Sequence, residues 1–260
     1  MITIKSKTEI ELMKKSGEIV AIAHEKIREA VRPGVTTLEL DKIAEEYIIK
    51  CGAIPSFKGY PNSFRGVMKF PASICSSVND EVVHGVPGLR VLKDGDIISI
   101  DIGACLNGYH SDAARTHPVG VISEKAAKLI KVTEQSFYEG IKFAVCGNRI
   151  VDISSAVQKH VEENGFSVVR EYVGHGIGKQ MHEPPQIPNY RTKERGDRLA
   201  SGMTLAIEPM VNEGGFAVKL MENKWTVITS DGSLSAHYEN TIAVTDSDPV
   251  ILTLCDLNWK

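Results

Sequence analysis

The chain has 260 residues, of which 42% are hydrophobic and 24% charged, with a net charge of −3 and a pI near 6.3. That composition is ordinary for a globular protein and excludes a bulk basic field for nucleic acid or anionic membrane. The first residues carry no apolar signal region, no apolar run approaches membrane-spanning length, and the five cysteines (Cys51, Cys75, Cys105, Cys146 and Cys255) form no CxxC pair, so a cytoplasmic protein with reduced thiols is expected.

Taken in chain order, the first element reads as a helix. Ser6 and Thr8 each precede a glutamate by three residues (Glu9 and Glu11), giving two candidate capping boxes. Ile10, Met13, Val20, Ile27 and Val31 keep helical spacing until Arg32–Pro33–Gly34 stops it. A second helix follows, capped by Thr36 and Glu39, with Leu40, Ile43 and Tyr47 inward and Gly52 as terminator. The same plan recurs at an offset of 113 residues: Gly34 falls on Gly147, Glu39 on Asp152, Leu40 on Ile153 and Gly52 on Gly165, and a long helix over 124–145 precedes the second copy. Strands are expected over 72–78, 96–103 and 109–116 after the first helix pair, and over 168–175, 203–211, 225–229 and 236–245 after the second. Helices followed by hairpins, without βαβ alternation, predict an α+β fold with a mostly antiparallel sheet. The expected organisation is one domain over 1–260, made of two similar halves of about 1–120 and 121–260.

Within the strand over 96–103, Ile98, Ile100 and Ile102 share one face while Ser99, Asp101 and Gly103 share the other. Asn107–Gly108 is a strong hairpin signal. If those two residues are the loop, Gly103 pairs with Asp112 and Asp101 lies diagonal to Asp112; a loop at Leu106–Asn107 sets the two aspartates opposite each other. Either register brings the carboxylates together. Buried together, they must protonate, pair with a cation or hold a metal. Arg115 is the nearest cation in sequence, but its odd spacing from Asp112 puts it on the other face. Glu208 in "MTLAIEPMV", Glu239 in "SAHYENTIAVT" and His175 in "YVGHGIG" add two carboxylates and an imidazole, each on or ending an expected strand. Four carboxylates around one imidazole suit a pair of divalent cations better than a single zinc. His84 and His182 read on their own as loop histidines, and Glu183 as a solvated charge.

The order Asp101, Asp112, His175, Glu208, Glu239 resembles the five metal ligands of the type I methionine aminopeptidases, a family of pita-bread fold. The flanks "NDEVVHGVPG", "SIDIGACLNGYHSDAARTHPVG", "GHGIGKQMHEPP" and "GMTLAIEPM" match as well, and the resemblance runs from about Ile4 to Leu254. It implies a pseudo-twofold fold, two divalent cations (Mn, Fe, Co or Zn) and removal of N-terminal methionine, with a small second residue preferred. Asp112 and Glu239 would bridge the metals, Asp101 would chelate one, and His175 with Glu208 would complete the other. A water activated by the metals would attack, His182 would stabilise the oxyanion, His84 would contact the scissile amide, and Glu208 would shuttle the proton. Phe57, Cys75 and Trp225 would line the methionine pocket; either Tyr60 or Phe70 takes the second aromatic position, with Phe70 preferred. Expected partners are nascent polypeptides with N-terminal methionine, with ribosome association allowed, no nucleic acid or membrane, and a monomeric enzyme.

Three departures stand out. The segment between Tyr60 and Ala72 is longer than the family's usual one, Met181 stands where an aromatic often precedes the catalytic histidine, and His237 shares a face with Glu239 as a candidate outer partner of the metals. Rival readings are a prolidase or aminopeptidase P, which usually carry an extra N-terminal domain, and a type II enzyme, which inserts a subdomain where only 33 residues separate His175 from Glu208. A metal-free binding module or a creatinase-like hydrolase of the same fold would have lost ligands that this chain keeps.

Overall fold

A computed structural model describes residues 2–254; Cys255 lies outside them. The first half runs α1 (Lys7–Ala30), α2 (Thr37–Lys50), β1 (Ile54–Pro55), β2 (Ile74–Val78), β3 (Glu81–Val83), β4 (Ile97–Leu106) and β5 (Tyr109–Pro118). The second runs α3 (Glu124–Ile141), α4 (Ile150–Glu163), β6 (Ser167–Val168), β7 (Gly174–Gly176), β8 (Glu183–Ile187), β9 (Thr204–Ile207), β10 (Met210–Asn212), β11 (Val218–Leu220), β12 (Val227–Thr229), β13 (Ser235–His237), β14 (Asn240–Ala243) and β15 (Val250–Ile251). The offset of 113 residues carries α2 onto α4 and β1 onto β6 at both ends of each element. It also carries the left-handed Gly34 (φ 93°) onto Gly147 (φ 94°), where each chain turns into its second helix. These elements form the α+β, pita-bread architecture, with its internal twofold repeat, anticipated above.

Of the two capping boxes available to α1, the one that forms is Ser6 with Glu9; Thr36 with Glu39 caps α2 in the same way. Such caps satisfy N–H groups that a helix start otherwise leaves bare, for about 1 kcal/mol each. The buried stripe of α1 includes Ile19, Val20, Ala23 and Ile27, and with Leu40, Ala44 and Ile48 of α2 it covers Ile98, Ile100 and Ile102 of β4. Each of these isoleucines is fully buried and stabilises the fold by roughly 1.5–3 kcal/mol. Polar bonds set the position of α1 on the hairpin: Ser16 Oγ donates to the Ala104 carbonyl (2.7 Å), Ser111 Oγ to the Met13 carbonyl (2.7 Å), and the His24 ring meets the Ala113 carbonyl at 2.8 Å. The opposite face of β4 is thereby left to the interior of the molecule.

β4 pairs with β5 along its whole length and with β1 and β2 on its other edge. The hairpin turns at Asn107 and Gly108, both with positive φ, and Gly103 pairs with Asp112, the first of the two registers considered. Several expected strands are broken. The run expected over 203–211 is β9 and β10, separated at Glu208–Pro209, and that over 236–245 is β13 and β14, separated at Tyr238–Glu239. β9 pairs with β14 in a five-stranded sheet, whereas β10 pairs with β13 in a three-stranded one. The ladder therefore bends where the two glutamates face each other, and Pro209, with no N–H to donate, sits in the bend. There Glu239 turns its backbone to β5 instead, with Glu239 N to the Ala114 carbonyl at 2.9 Å and Ala114 N to the Glu239 carbonyl at 3.3 Å. Similarly, the strand expected over 168–175 is the short pair β6 and β7.

Candidate metal centre

The bend delivers side chains from both halves to one place. Asp101 on β4 and Asp112 on β5 are diagonal neighbours. Gly103 leaves room on their face, since a Cβ there would stand 3.1 Å from the Phe57 ring and 3.2 Å from Met181 Cε. Asp112 is also fixed by Thr241, whose hydroxyl accepts from Asp112 N and donates to the Asp112 carbonyl, both at 2.9 Å. Asn189 Nδ2 donates to the Glu208 carbonyl at 2.9 Å. His175, on β7, brings its ring to within 3.6 Å (Nε2 to Oε1) of Glu208. One ligand atom each of Asp112, His175 and Glu239 lies within 4.8 Å of the others.

Arg115 does not neutralise this group by an ion pair. Its guanidinium donates to the Glu239 carbonyl and to Asn240 Oδ1 (2.6 Å), and stacks over the Tyr238 ring at 4.4 Å. Asp101 Oδ1, Asp112 Oδ1 and Glu239 Oε1 are buried without a hydrogen-bond partner. Burial pushes the Asp101 carboxyl up to about 6 and Glu208 up to about 8. Asp112 and Glu239 are pushed well above the usual carboxylate range, first by burial and then by their acidic neighbours. Four carboxylates that would rather hold protons, three of them with a bare buried oxygen, fit a cationic occupant.

The imidazole fits too. Burial holds His175 down to about 3, hence neutral, and its Nδ1 lies 2.9 Å from the Gly176 carbonyl, which can only accept. That contact places the proton on Nδ1 and leaves the Nε2 lone pair facing the carboxylates. Oxygen donors with a single imidazole nitrogen suit a divalent metal ion.

Around these groups lies a cleft of about 580 Å³, in the usual range for a small-molecule site. Phe57, Tyr60, Phe70, Cys75, His84, His182 and Trp225 line it together with four of the residues above and Glu239. Phe70, the preferred second aromatic, is buried and meets Trp225 edge to face with ring centroids 5.1 Å apart. Met181, where the family often has an aromatic, is buried in the same apolar cluster as Phe57, Phe70 and Cys75. His84 adopts φ 59° and packs against Tyr172 (5.6 Å). Desolvation lowers it to about 4, and lowers His182 as well. The His182 ring lies 4.2 Å from that of His175, and its Nδ1 is 2.6 Å from the Tyr60 hydroxyl.

Two features, the pairing of Glu183 and the place of Tyr172, escape a reading of the residues alone. Glu183 is no solvated charge: Oε2 lies 2.6 Å from Lys5 Nζ and Oε1 accepts from Gln180 N at 3.1 Å, with both side chains of the pair nearly buried. Their separation of 178 residues leaves no local signal. His237, the candidate outer partner, is buried with Nε2 3.6 Å from Glu208 Oε2. Tyr172 reaches the cleft from a loop with no distinguishing pattern.

Residues 11–246 match the model of metallopeptidase family M24. The methionine aminopeptidase of Clostridium acetobutylicum is 58% identical over 257 residues, covering 98% of this chain and all of that one. The crystal structure of the Thermotoga maritima methionine aminopeptidase superposes with a TM-score of 0.93 at 44% identity, covering 98% of this chain and all of that one. The prolidase of Pyrococcus furiosus, at 23% identity and a TM-score of 0.73, shares the fold; the match spans 97% of this chain but 66% of the prolidase.

Proposed function

The chain belongs to metallopeptidase family M24, as a methionine aminopeptidase of type I, and from that premise we propose how its residues divide the work. Its activity is metal-dependent hydrolysis that removes N-terminal methionine from polypeptides. Asp101, Asp112, His175, Glu208 and Glu239 would hold the pair of divalent cations that the resemblance implies. The bare, buried oxygens of Asp101, Asp112 and Glu239 are the observation that carries this assignment. When bound, the cations supply Lewis acidity and acidify water toward neutral pH.

The remaining steps fall to the chain itself. The methionine side chain fits among Phe57, Phe70, Cys75 and Trp225, where aromatic edges and a thiol suit a polarisable thioether. His182, kept neutral by burial, donates from Nε2 to the scissile carbonyl oxygen and stabilises the charge that develops there. His84, fixed by its strained backbone and by Tyr172, contacts the scissile amide. Glu208 would take a proton from water and deliver it to the leaving amine. A small second residue is preferred because the leaving side must sit beside the cations.

The same reading makes residues 1–260 one catalytic domain of two similar halves, about 1–120 and 121–260, working in the cytoplasm as a monomer on nascent chains, within reach of the ribosome. Among the described residues, no helix is long and apolar enough to cross a membrane. The test is cleavage of Met-Ala-Ser, Met-Lys-Ser, Leu-Ala-Ser and Ala-Pro-Ser by chelated protein, with and without added Mn, Fe, Co or Zn, read by mass spectrometry. Metal-dependent loss of methionine from Met-Ala-Ser alone is the expected result. Equal cleavage of Met-Lys-Ser removes the small-residue preference, and cleavage of Ala-Pro-Ser points to proline-directed chemistry instead.

A further inference from the structure

The long segment noted in the sequence is a closed loop. Gly59 N donates to the Phe70 carbonyl (2.8 Å) and Phe70 N to the Tyr60 carbonyl (2.9 Å), so residues 60–70 leave and re-enter through a narrow neck. Two further bonds tie it to the turn before β12: Asn62 Nδ2 to the Lys224 carbonyl (2.8 Å) and Trp225 Nε1 to the Met68 carbonyl (3.1 Å). Pro61, Asn62, Ser63 and Phe64 of this loop line the cleft.

Tyr60 stands at the neck, held by its N–H to the Phe57 carbonyl at 2.9 Å. Its hydroxyl is 2.6 Å from His182 Nδ1, and the two rings meet edge to face with centroids 5.2 Å apart. Phe70, at the other side of the neck, meets Trp225 and not His182.

We propose that Tyr60 is a positioning residue for His182: its O–H donates to Nδ1 and thereby fixes the ring proton on Nε2. A neutral imidazole has one donor and one acceptor nitrogen, so a bond accepted at Nδ1 decides the tautomer at Nε2. Nε2–H is the donor that the proposed function turns toward the scissile carbonyl oxygen, and the inference rests on that reading. The same bond opposes a flip of the ring, which would exchange nitrogen for carbon on the side facing the substrate. The loop thus makes the oxyanion donor depend on a residue far away in sequence, and the neck bonds hold that residue in place.

The test compares the zinc-loaded parent with Tyr60→Phe by ¹⁵N NMR of labelled histidine, with His182→Gln identifying the His182 signals, and by kinetics on Met-Ala-Ser. In the parent, Nδ1 of His182 is expected to be unprotonated and Nε2 protonated; Tyr60→Phe is expected to give a mixture of tautomers. Its kcat should fall roughly tenfold, the cost of one hydrogen bond, with KM within about twofold of the parent. A parent carrying the proton on Nδ1 overturns the proposal, even if the variant does not fold. So does a variant with unchanged tautomer and kcat, or one in which only KM rises, which would make Tyr60 plain pocket wall. If the parent fails to cleave Met-Ala-Ser, the function reading fails by itself, and the tautomer measurement still decides the role of Tyr60.

Discussion

Replacing Lys5 by methionine removes one charge of a nearly buried pair and leaves the other. Lys5 and Glu183 side chains are 3% and 10% exposed, and their charged atoms are 2.6 Å apart. A Cβ on Gly178 would stand 2.5 Å from Lys5 Cε, and Lys5 N donates to the Gly202 carbonyl at 2.8 Å, so the lysine stem is enclosed. Glu183 keeps Gln180 N as a partner in the variant, but its second oxygen is stranded. Breaking such a pair from one side costs about 3–5 kcal/mol, whereas replacing both members with apolar groups is often neutral. For a chain of this size a kilocalorie moves the melting midpoint by roughly 2–4 °C, so Lys5→Met should lower it by about 10 °C. The double variant Lys5→Met/Glu183→Leu should recover most of that loss, giving a large coupling in a double-mutant cycle. Circular-dichroism melts of the four chelated proteins provide the measurement. A single variant that melts within about 2 °C of the parent would refute the reasoning, because the pair would then be worth no more than an exposed one.

Above the range in which histidines titrate, rising pH should destabilise the metal-free protein. The carboxyls of Asp101 and Glu208 rise from 3.8 and 4.5 to about 6 and about 8 on folding, so the native state binds more protons than the unfolded chain. Their contribution is complete below about pH 4 and is lost as pH rises through 6 and then 8; buried His84 and His175, held down to about 4 and about 3, pull the other way below about pH 6.5, so chelated protein should melt lower at pH 9 than at pH 7.5, and added manganese should reverse that trend. A flat profile would mean that the carboxylates are hydrated or otherwise paired. His182→Ala should cut kcat by roughly 10²–10³ with little change in KM, as for the loss of one oxyanion donor, and a pure KM effect in steady-state assays would move that role elsewhere. His237→Ala, which removes the ring 3.6 Å from Glu208 Oε2, should weaken metal affinity by about 10–100-fold in calorimetric titration; unchanged affinity would leave His237 a packing residue.

What was legible in the sequence followed from local physics. Helix starts show because a cap and its partner glutamate lie three residues apart, and the Asn107–Gly108 turn shows because few residues accept two successive positive φ angles. Strand alternation then put Asp101 and Asp112 on one face, and one of the two registers considered is the one that forms. The bends at Glu208 and Glu239 were hidden because the apolar pattern runs on unbroken while the strand passes from one sheet to another. Pro209 was the only local clue. Glu183 and Tyr60 were hidden for a different reason: their partners, Lys5 and His182, are 178 and 122 residues away, and no periodicity links such positions. The resemblance to a known family singled out five candidate ligands because their flanks are distinctive, but it had nothing to say about a loop that departs from the family.

The most direct test of the central claim is a crystal structure of the manganese-soaked protein, read through its anomalous difference map. Two peaks are predicted in the cleft, both touching Asp112 and Glu239, one also touching Asp101 and the other His175 and Glu208. A single peak, or none among carboxylates that are well ordered, would contradict the dinuclear assignment.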